Sequence, residues 1–168
     1  MKSRSNDYED LGKPAELTIS ELYTSIGYDC FKDTELQSIT IPGTVKSIGG
    51  RAFAGCTELT SITIPASVTS IGGGAFEDCT GLTSIAIPDS VTSIDGSLFR
   101  GCTGLTSITI PDSVTSIGGY AFGDCNQGLV ITFLGTETQW KNVKKHDYWT
   151  LGENSIPAVY EIVFSPNQ

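Results

Sequence analysis

Cysteine carries the most reactive side chain in this 168-residue sequence, and four of the five cysteines recur at a spacing of 23 residues: Cys56, Cys79, Cys102 and Cys125. A catalytic or metal-binding thiol needs a partner, but the sequence contains no Cys-x-x-Cys pair and no histidine near these four. If the repeated segments stack, equivalent residues lie about 4.8 Å apart with parallel side chains, which disfavours a disulfide. We therefore predict reduced thiols that pack as small hydrophobic groups.

The single histidine, His146, is the other candidate for chemistry, and it stands in the segment KKHDYW with no nucleophile as an evident partner. The serines recur in every repeat and so mark no single site. The motifs G-x-S-x-G and H-E-x-x-H and the Walker phosphate-binding motif are absent. The sequence therefore predicts a protein that is not an enzyme, with no catalytic residue, metal site or cofactor.

Ten Lys and Arg against nineteen Asp and Glu give the chain a net charge of −9. A nucleic-acid partner is not expected, because binding phosphates needs clustered basic residues and only Lys141, Lys144 and Lys145 lie close together. No run approaches the roughly 18 apolar residues that cross a bilayer, so we expect no membrane insertion by this segment. The acidic residues are spread along the chain, which favours solubility, and we expect a monomer.

The chain contains an internal repeat that positions the cysteines. Residues 105–125 (LTSITIPDSVTSIGGYAFGDC) closely match residues 82–102 (LTSIAIPDSVTSIDGSLFRGC). A fixed period of 20–50 residues is typical of stacked architectures in which each copy, here called a rung, contacts only its neighbours. The 23-residue period predicts vertical ladders of leucine, isoleucine and phenylalanine. The predicted ladders are Leu36, Leu59, Leu82 and Leu105; Ile39, Ile62, Ile85, Ile108 and Ile131; and Phe53, Phe76, Phe99 and Phe122.

Within one rung, residues 62–64 alternate as a half-buried strand, which Pro65 ends because proline has no N–H to give to a ladder. Residues 68–71 form a second β-prone piece. The triple glycine at 72–74 marks a turn that uses positive φ. Residues 75–79 are expected to close the rung as a single helical or 3₁₀ turn.

Both ends of the array depart from the period. In the first rung, Ile26 and Phe31 are one position late, so Cys30 falls outside the cysteine ladder and Thr34 lies near the vacant place. Residues 1–16 are polar and lack the apolar core of a signal peptide. We predict a flexible N-terminal segment over 1–16, either a native linker or what remains of a removed export signal.

The pattern changes after the solenoid, which we place at 17–134. Residues 135–168 are predicted to form a C-terminal cap: Thr136 or Thr138 starts a short helix, and Trp140 and Val143 close the last rung. The β-prone run at 159–164 is predicted to add an edge strand. Tyr148 and Trp149 could bind a ligand by stacking, but large aromatic residues beside an open solenoid end more often bury it, so we expect them to cover the end of the stack.

The repeat resembles the BspA-like class of leucine-rich repeats, since LTSITIPASVTSIGGGAFEDC fits the unit L-x-x-I-x-I-P-x-x-V-x-x-I-G-x-x-A-F-x-x-C. The segment GTETQW also resembles the way arrays of this family end. The resemblance covers about residues 17–134. It implies a right-handed solenoid of short parallel strands, here about five to six rungs, with no catalytic residue. It also implies an extracellular or cell-surface protein used in adhesion or partner binding. Asp95 and Leu98 depart from the usual glycine and alanine.

The binding surface is expected along the strands, where the side chains that face away from the core are small and polar. This candidate face comprises Ser38, Ser61, Ser84, Ser107, Thr40, Thr63 and Thr109. Variable turn positions add Arg51, Arg100 and Tyr120 as determinants of specificity. Ser and Thr also suit any solvated pleated surface, so two functions remain open. One is a non-catalytic module that binds a host or matrix protein or glycan, and the other is a spacer segment of a longer surface protein.

Overall fold

The computed structural model of the chain describes residues 14–150 and 161–165. Its short strands all pair in parallel, and the helix α1 (Glu137–Asn142) lies near the C-terminal end. The strands are β1 (Glu16–Thr18), β2 (Ser25–Ile26), β3 (Ser38–Thr40), β4 (Ser47–Ile48), β5 (Ser70–Ile71), β6 (Ser84–Ala86), β7 (Ser93–Ile94), β8 (Ser107–Pro111), β9 (Ser116–Ile117), β10 (Val130–Leu134), β11 (Lys144–Lys145) and β12 (Glu161–Phe164).

The strands stack into two ladders, and most rungs contribute one strand to each. The first ladder contains the pair β1–β3 and a four-stranded sheet in the order β12-β10-β8-β6, and the second contains β2-β4-β5 and β11-β9-β7. The register follows the repeat, with Ile85 opposite Ile108 and Ile108 opposite Ile131. In the shorter first rung, Ile26 pairs with Ile48 at a spacing of 22 residues. The predicted solenoid of short parallel strands, with about five to six rungs, is confirmed, and it contains little helix.

One predicted strand is absent. Residues 62–64 in the third rung (residues 59–81) form no strand, and Ser61 makes only an isolated parallel bridge to Ser84. The side chains still alternate, since Ile62 and Ile64 are buried and Thr63 is exposed. Nothing in the sequence of this rung distinguishes it from its neighbours at these positions.

The core is a stack of phenylalanine rings with leucine and isoleucine ladders beside it. Neighbouring ring centroids from Phe31 to Phe122 are separated by 5.4, 5.4, 5.7 and 5.6 Å. Phe53, Phe76, Phe99 and Phe122 are fully buried. Each such ring contributes roughly 1.5–3 kcal/mol through its burial, and it stacks on rings of the neighbouring rungs. A rung is therefore stable only in the stack.

The cysteine ladder lies beside the rings and is tied to them by hydrogen bonds. Each thiol donates to the main-chain carbonyl of the phenylalanine in the preceding rung, as in Cys79 Sγ to Phe53 O (3.1 Å) and Cys102 Sγ to Phe76 O (3.0 Å). In the first rung, Thr34 takes the place of the missing cysteine, as predicted, and its hydroxyl donates to Phe31 O at 2.8 Å. Cysteine thus serves here as a small apolar group with one weak donor.

Two positions in each rung adopt left-handed backbone conformations. The first column has φ between 53° and 65° and consists of Asp29, Arg51, Gly74, Ser97 and Tyr120. The second has φ between 55° and 73° and consists of Asp33, Gly55, Asp78, Gly101 and Asp124. At Gly55 and Gly101 a Cβ atom would collide with the carboxylate of the aspartate in the preceding rung. Aspartate and glycine therefore alternate in this column, because each aspartate carboxylate fills the space that the glycine of the next rung leaves open.

The terminal rung (residues 129–150) contains α1 as an insertion. Thr136 caps the helix in a capping box with Gln139, and Trp140 and Val143 are buried against the last rings, as predicted. After the helix, β11 returns to the second ladder with Lys145 opposite Ile117. The Lys145 ammonium group donates to Trp140 O and Val143 O, and thus closes the end of the helix. Residues 135–150 therefore complete a sixth turn.

At the outer edge of the first ladder, β12 pairs in parallel with β10, in accord with the predicted edge strand. Residues 159–160 of that prediction lie outside the described residues, as do residues 1–13 of the predicted flexible segment. At the other end, Glu16 already belongs to β1, where it lies opposite Ser38.

Candidate binding surface

The predicted strand face exists as a continuous exposed surface of hydroxyl groups. Six of its seven residues are exposed, namely Ser38, Thr40, Ser61, Thr63, Ser84 and Ser107, and Thr109 is half-buried. Ser84 lies opposite Ser107, and Ser61 is bridged to Ser84, so the hydroxyls repeat along the stack. The seven side chains of this face carry no charge, so the face can offer hydrogen bonds to a partner.

The three variable residues lie elsewhere. Arg51 and Tyr120 belong to the first left-handed column. Ser97 is also a member of that column, and Arg100 lies in the turn that follows it. The structure therefore divides the ten predicted residues between the strand face and a turn surface that follows the second ladder. A ligand confined to one of these surfaces would contact only one part of the predicted set.

Both arginines are engaged in ion pairs between rungs. Arg100 lies 3.4 Å from Glu77 in the preceding rung and 3.8 Å from Asp124 in the following one. The Nε atom of Arg51 lies 3.7 Å from the Asp29 carboxylate. Pairs at a protein surface contribute little stability, about 0–1 kcal/mol each, but they hold the guanidinium groups along the stack. Their geometry ties these arginines to neighbouring rungs.

Tyr120 belongs to an aromatic group that the sequence did not predict. Its ring stacks on Tyr148 at 6.1 Å, and the His146 ring lies 5.6 Å from Tyr148. The prediction that Tyr148 buries the end of the stack is wrong, because its side chain is 48% exposed. Trp149 does cover the end, with edge contacts to Phe122 at 5.9 Å and Trp140 at 6.0 Å. The α1 insertion lengthens the last rung, so the 23-residue period could not place Tyr148 above Tyr120.

The buried thiols are poor nucleophiles. Burial raises the pKa of Cys125 to about 12, and it raises the pKa of Cys56, Cys79 and Cys102 as well. Among residues 14–150 and 161–165, no three His, Cys, Asp or Glu side chains are grouped to hold a metal ion. An open polar depression of about 390 Å³ is lined by Ala15, Glu35, Gln37, Thr57 and Glu58. It contains no thiol or imidazole.

A sequence profile of the BspA type leucine rich repeat region matches residues 14–142 in six copies. The chain belongs to this family. The match begins at residue 14 and ends with α1, so the leucine-rich repeats account for most of the described solenoid. Among proteins with curated descriptions, none matches the chain by sequence.

Solved structures of bacterial proteins share the fold. A leucine rich cell surface protein from Faecalibacterium prausnitzii is 32% identical with a TM-score of 0.74, over 79% of this chain and 35% of that one. A Treponema pallidum leucine rich repeat protein is 27% identical with a TM-score of 0.69, over 90% of this chain and 75% of that one. The pneumococcal vaccine antigen PcpA is 15% identical with a TM-score of 0.65, over 90% of this chain and 42% of that one, and shares the fold alone.

The chain spans about a third of the length of the F. prausnitzii protein. These similar proteins have a leucine-rich repeat fold, which is a non-enzymatic class. No helix within residues 14–150 and 161–165 is long and apolar enough to cross a membrane.

Proposed function

We propose that this chain is a non-catalytic binding module of a bacterial cell-surface or secreted protein, and that it binds a host or matrix protein or glycan through the strand face. The observation that carries the proposal is the row of exposed, uncharged hydroxyls from Ser38 to Ser107 on a rigid stack. Extended surfaces of stacked repeats are what solenoid proteins use for recognition. The module acts as a monomer.

The surface location is supported by similarity. The F. prausnitzii protein is described as a leucine rich cell surface protein, and it is 32% identical to this chain. An adhesive role fits a surface that repeats equivalent hydrogen-bond groups along the stack, since such a surface matches an extended partner better than a small molecule. A spacer role without a ligand is the alternative outcome of the test.

The test is a binding screen of the purified chain against immobilised matrix proteins and a glycan array. We expect saturable binding to at least one of these ligands, and we expect Ser84→Glu to weaken it about tenfold or more. Ser84 lies between Ser61 and Ser107, so a carboxylate there places an unpaired charge in the middle of the face. The affinity is measured by surface plasmon resonance.

The matched control is Thr92→Glu, which adds the same charge at an exposed position beside the second ladder. Equal weakening by both variants would point to a general charge effect and contradict a site on the strand face. Absence of binding to every ligand would favour the spacer role.

A further inference from the structure

A strip of bare main chain follows the second ladder on the turn surface. Its residues are Gly50, Gly73, Gly96 and Gly119, one from each of four consecutive rungs. Their main-chain groups are bonded along the stack, as in Arg51 N–H to Gly73 O (3.1 Å) and Ser97 N–H to Gly119 O (2.9 Å). With strands about 4.8 Å apart, the strip is about 14 Å long. The strip has no side chains of its own, and its four carbonyl groups accept hydrogen bonds along the stack.

Aromatic rings stand over both ends of this strip. At one end the Tyr28 ring lies over Gly50, with ring carbons 3.4 and 3.5 Å from the point where a Cβ of residue 50 would lie. At the other end the His146 ring lies over Gly119, with ring atoms 3.2 to 3.5 Å from the corresponding point. Tyr148 adjoins His146 and stacks on Tyr120. Gly73 and Gly96 lie between the rings, and Gly73 is exposed.

The rings are large, exposed and polar at their rims. The exposed fractions of Tyr28, Tyr148 and Tyr120 are 62%, 48% and 42%. Nδ1 of His146 accepts the Tyr148 N–H at 3.3 Å, so Nε2 is the ring nitrogen placed to donate to a ligand. Each end of the strip thus offers an apolar ring face together with a group that forms hydrogen bonds.

Tyr120 adopts a backbone conformation that its residue type disfavours. Its φ is 57°, at the column position that Gly74 occupies two rungs earlier. The left-handed region costs a bulky residue about 1–2 kcal/mol relative to glycine. The same conformation recurs at this column position in four other rungs, and at Tyr120 it accompanies the stacking of the ring on Tyr148 at the end of the strip.

We propose that this glycine strip, with Tyr28 at one end and the His146, Tyr148 and Tyr120 rings at the other, is a second binding site, and that its ligand is a neutral glycan chain. A pyranose ring has a flat C–H face that packs on an aromatic ring, and its equatorial hydroxyls take hydrogen bonds at the rim. A protein partner would need a packed apolar core between the two ends, where the strip offers only glycines. A polyanionic glycan is disfavoured by the net charge of −9.

The experiment titrates the chain with neutral oligosaccharides, namely cellohexaose, xylohexaose, chitohexaose and mannohexaose, with heparin as the anionic comparison. Binding is followed by calorimetry and by the amide resonances of Gly73 and Gly96. We expect at least one neutral oligosaccharide to bind and to shift both resonances. Tyr28→Ala and Tyr148→Ala are each expected to weaken binding about tenfold, the loss of one ring contact.

Tyr23→Ala is the matched control, because Tyr23 is a 54% exposed tyrosine that precedes β2, whereas the strip follows the second ladder. Its affinity is expected to equal that of the unmodified chain. Ser84→Glu is also expected to leave this binding unchanged, which separates the strip from the strand face. The site is overturned if Tyr23→Ala weakens binding as much as Tyr148→Ala does, or if Ser84→Glu abolishes binding while both strip variants keep it. The ligand class is overturned if no neutral oligosaccharide binds or if heparin alone does.

Discussion

Raising the pH from about 9 to about 12 is expected to unfold this protein steeply, because the cysteine ladder must keep its protons to remain buried. The ordinary thiol pKa is 9.0, and burial raises the pKa of Cys125 to about 12 and that of Cys102 well above its ordinary value. The carboxylates of Asp78 and Asp124 add to the shifts at Cys79 and Cys125. All four thiols are shifted in the same direction.

The sign of the effect follows from proton binding. Below pH 9 the folded and unfolded chains both hold these protons, so the full stability is present. Above pH 9 only the folded chain holds them, and each thiol removes roughly 1 kcal/mol of unfolding free energy per pH unit until its folded pKa is passed. The losses from the four thiols add, and together they are a large share of the total stability of an ordinary domain, about 5–15 kcal/mol. Burial lowers the pKa of Lys145, which opposes the loss, but it is a single group.

The measurement is urea denaturation at several pH values between 7 and 12. We expect a flat plateau up to about pH 9 and then a steep decline in unfolding free energy. The double variant Cys79→Ala and Cys102→Ala is expected to start less stable, because it loses two buried groups, but to decline about half as steeply. A decline of equal slope in both proteins would show that the thiols do not cause it.

Phe99→Ala is expected to destabilise the chain by about 3–5 kcal/mol, since it leaves a cavity in the middle of the ring stack. Phe99 is fully buried, and its ring lies 5.7 Å from Phe76 and 5.6 Å from Phe122. Loss of this ring removes contacts in two neighbouring rungs as well as in its own. The shift in the midpoint of chemical denaturation at neutral pH gives the size of the effect.

Ser84→Ala is the control for this measurement, because the Ser84 side chain is exposed on the strand face. Its expected cost is within about 0.5 kcal/mol. If both substitutions proved equally harmless, the rings would not form the core that the structure describes. A loss confined to Phe99→Ala would support stacking as the source of stability.

Much of the solenoid could be predicted from the sequence because stacking preserves spacing. A 23-residue period places each Ile, Phe and Cys directly above its counterpart, so the ladders follow without knowledge of the path between them. The one-residue shift of the first rung could also be predicted, and Thr34 indeed lies 3.3 Å from Cys56 Sγ. The prediction of a strand at 62–64 was wrong because strand pairing depends on main-chain hydrogen bonds that the side-chain pattern does not determine.

The aromatic group at the end of the strip could not be predicted, because its residues do not share the period. Lys144 pairs with Ser116 across 28 residues, since α1 lengthens the terminal rung. The number of residues that a helix adds to a turn depends on how Trp140 packs against Phe133, which the sequence alone does not show. Tyr28 lies in the shortened first rung and was missed for a related reason. The glycine column was visible at its 23-residue spacing, but its flanking rings were not.

The accessibility of the cysteines tests most directly whether the rungs stack in register and bury the thiol ladder. The folded protein is treated with a thiol-labelling reagent, and mass spectrometry then shows which of the five cysteines have reacted. We predict that half-buried Cys30 is labelled first, while Cys56, Cys79, Cys102 and Cys125 are labelled only after denaturation. Labelling of those four at the rate of Cys30, or their recovery as disulfides, would contradict the stack.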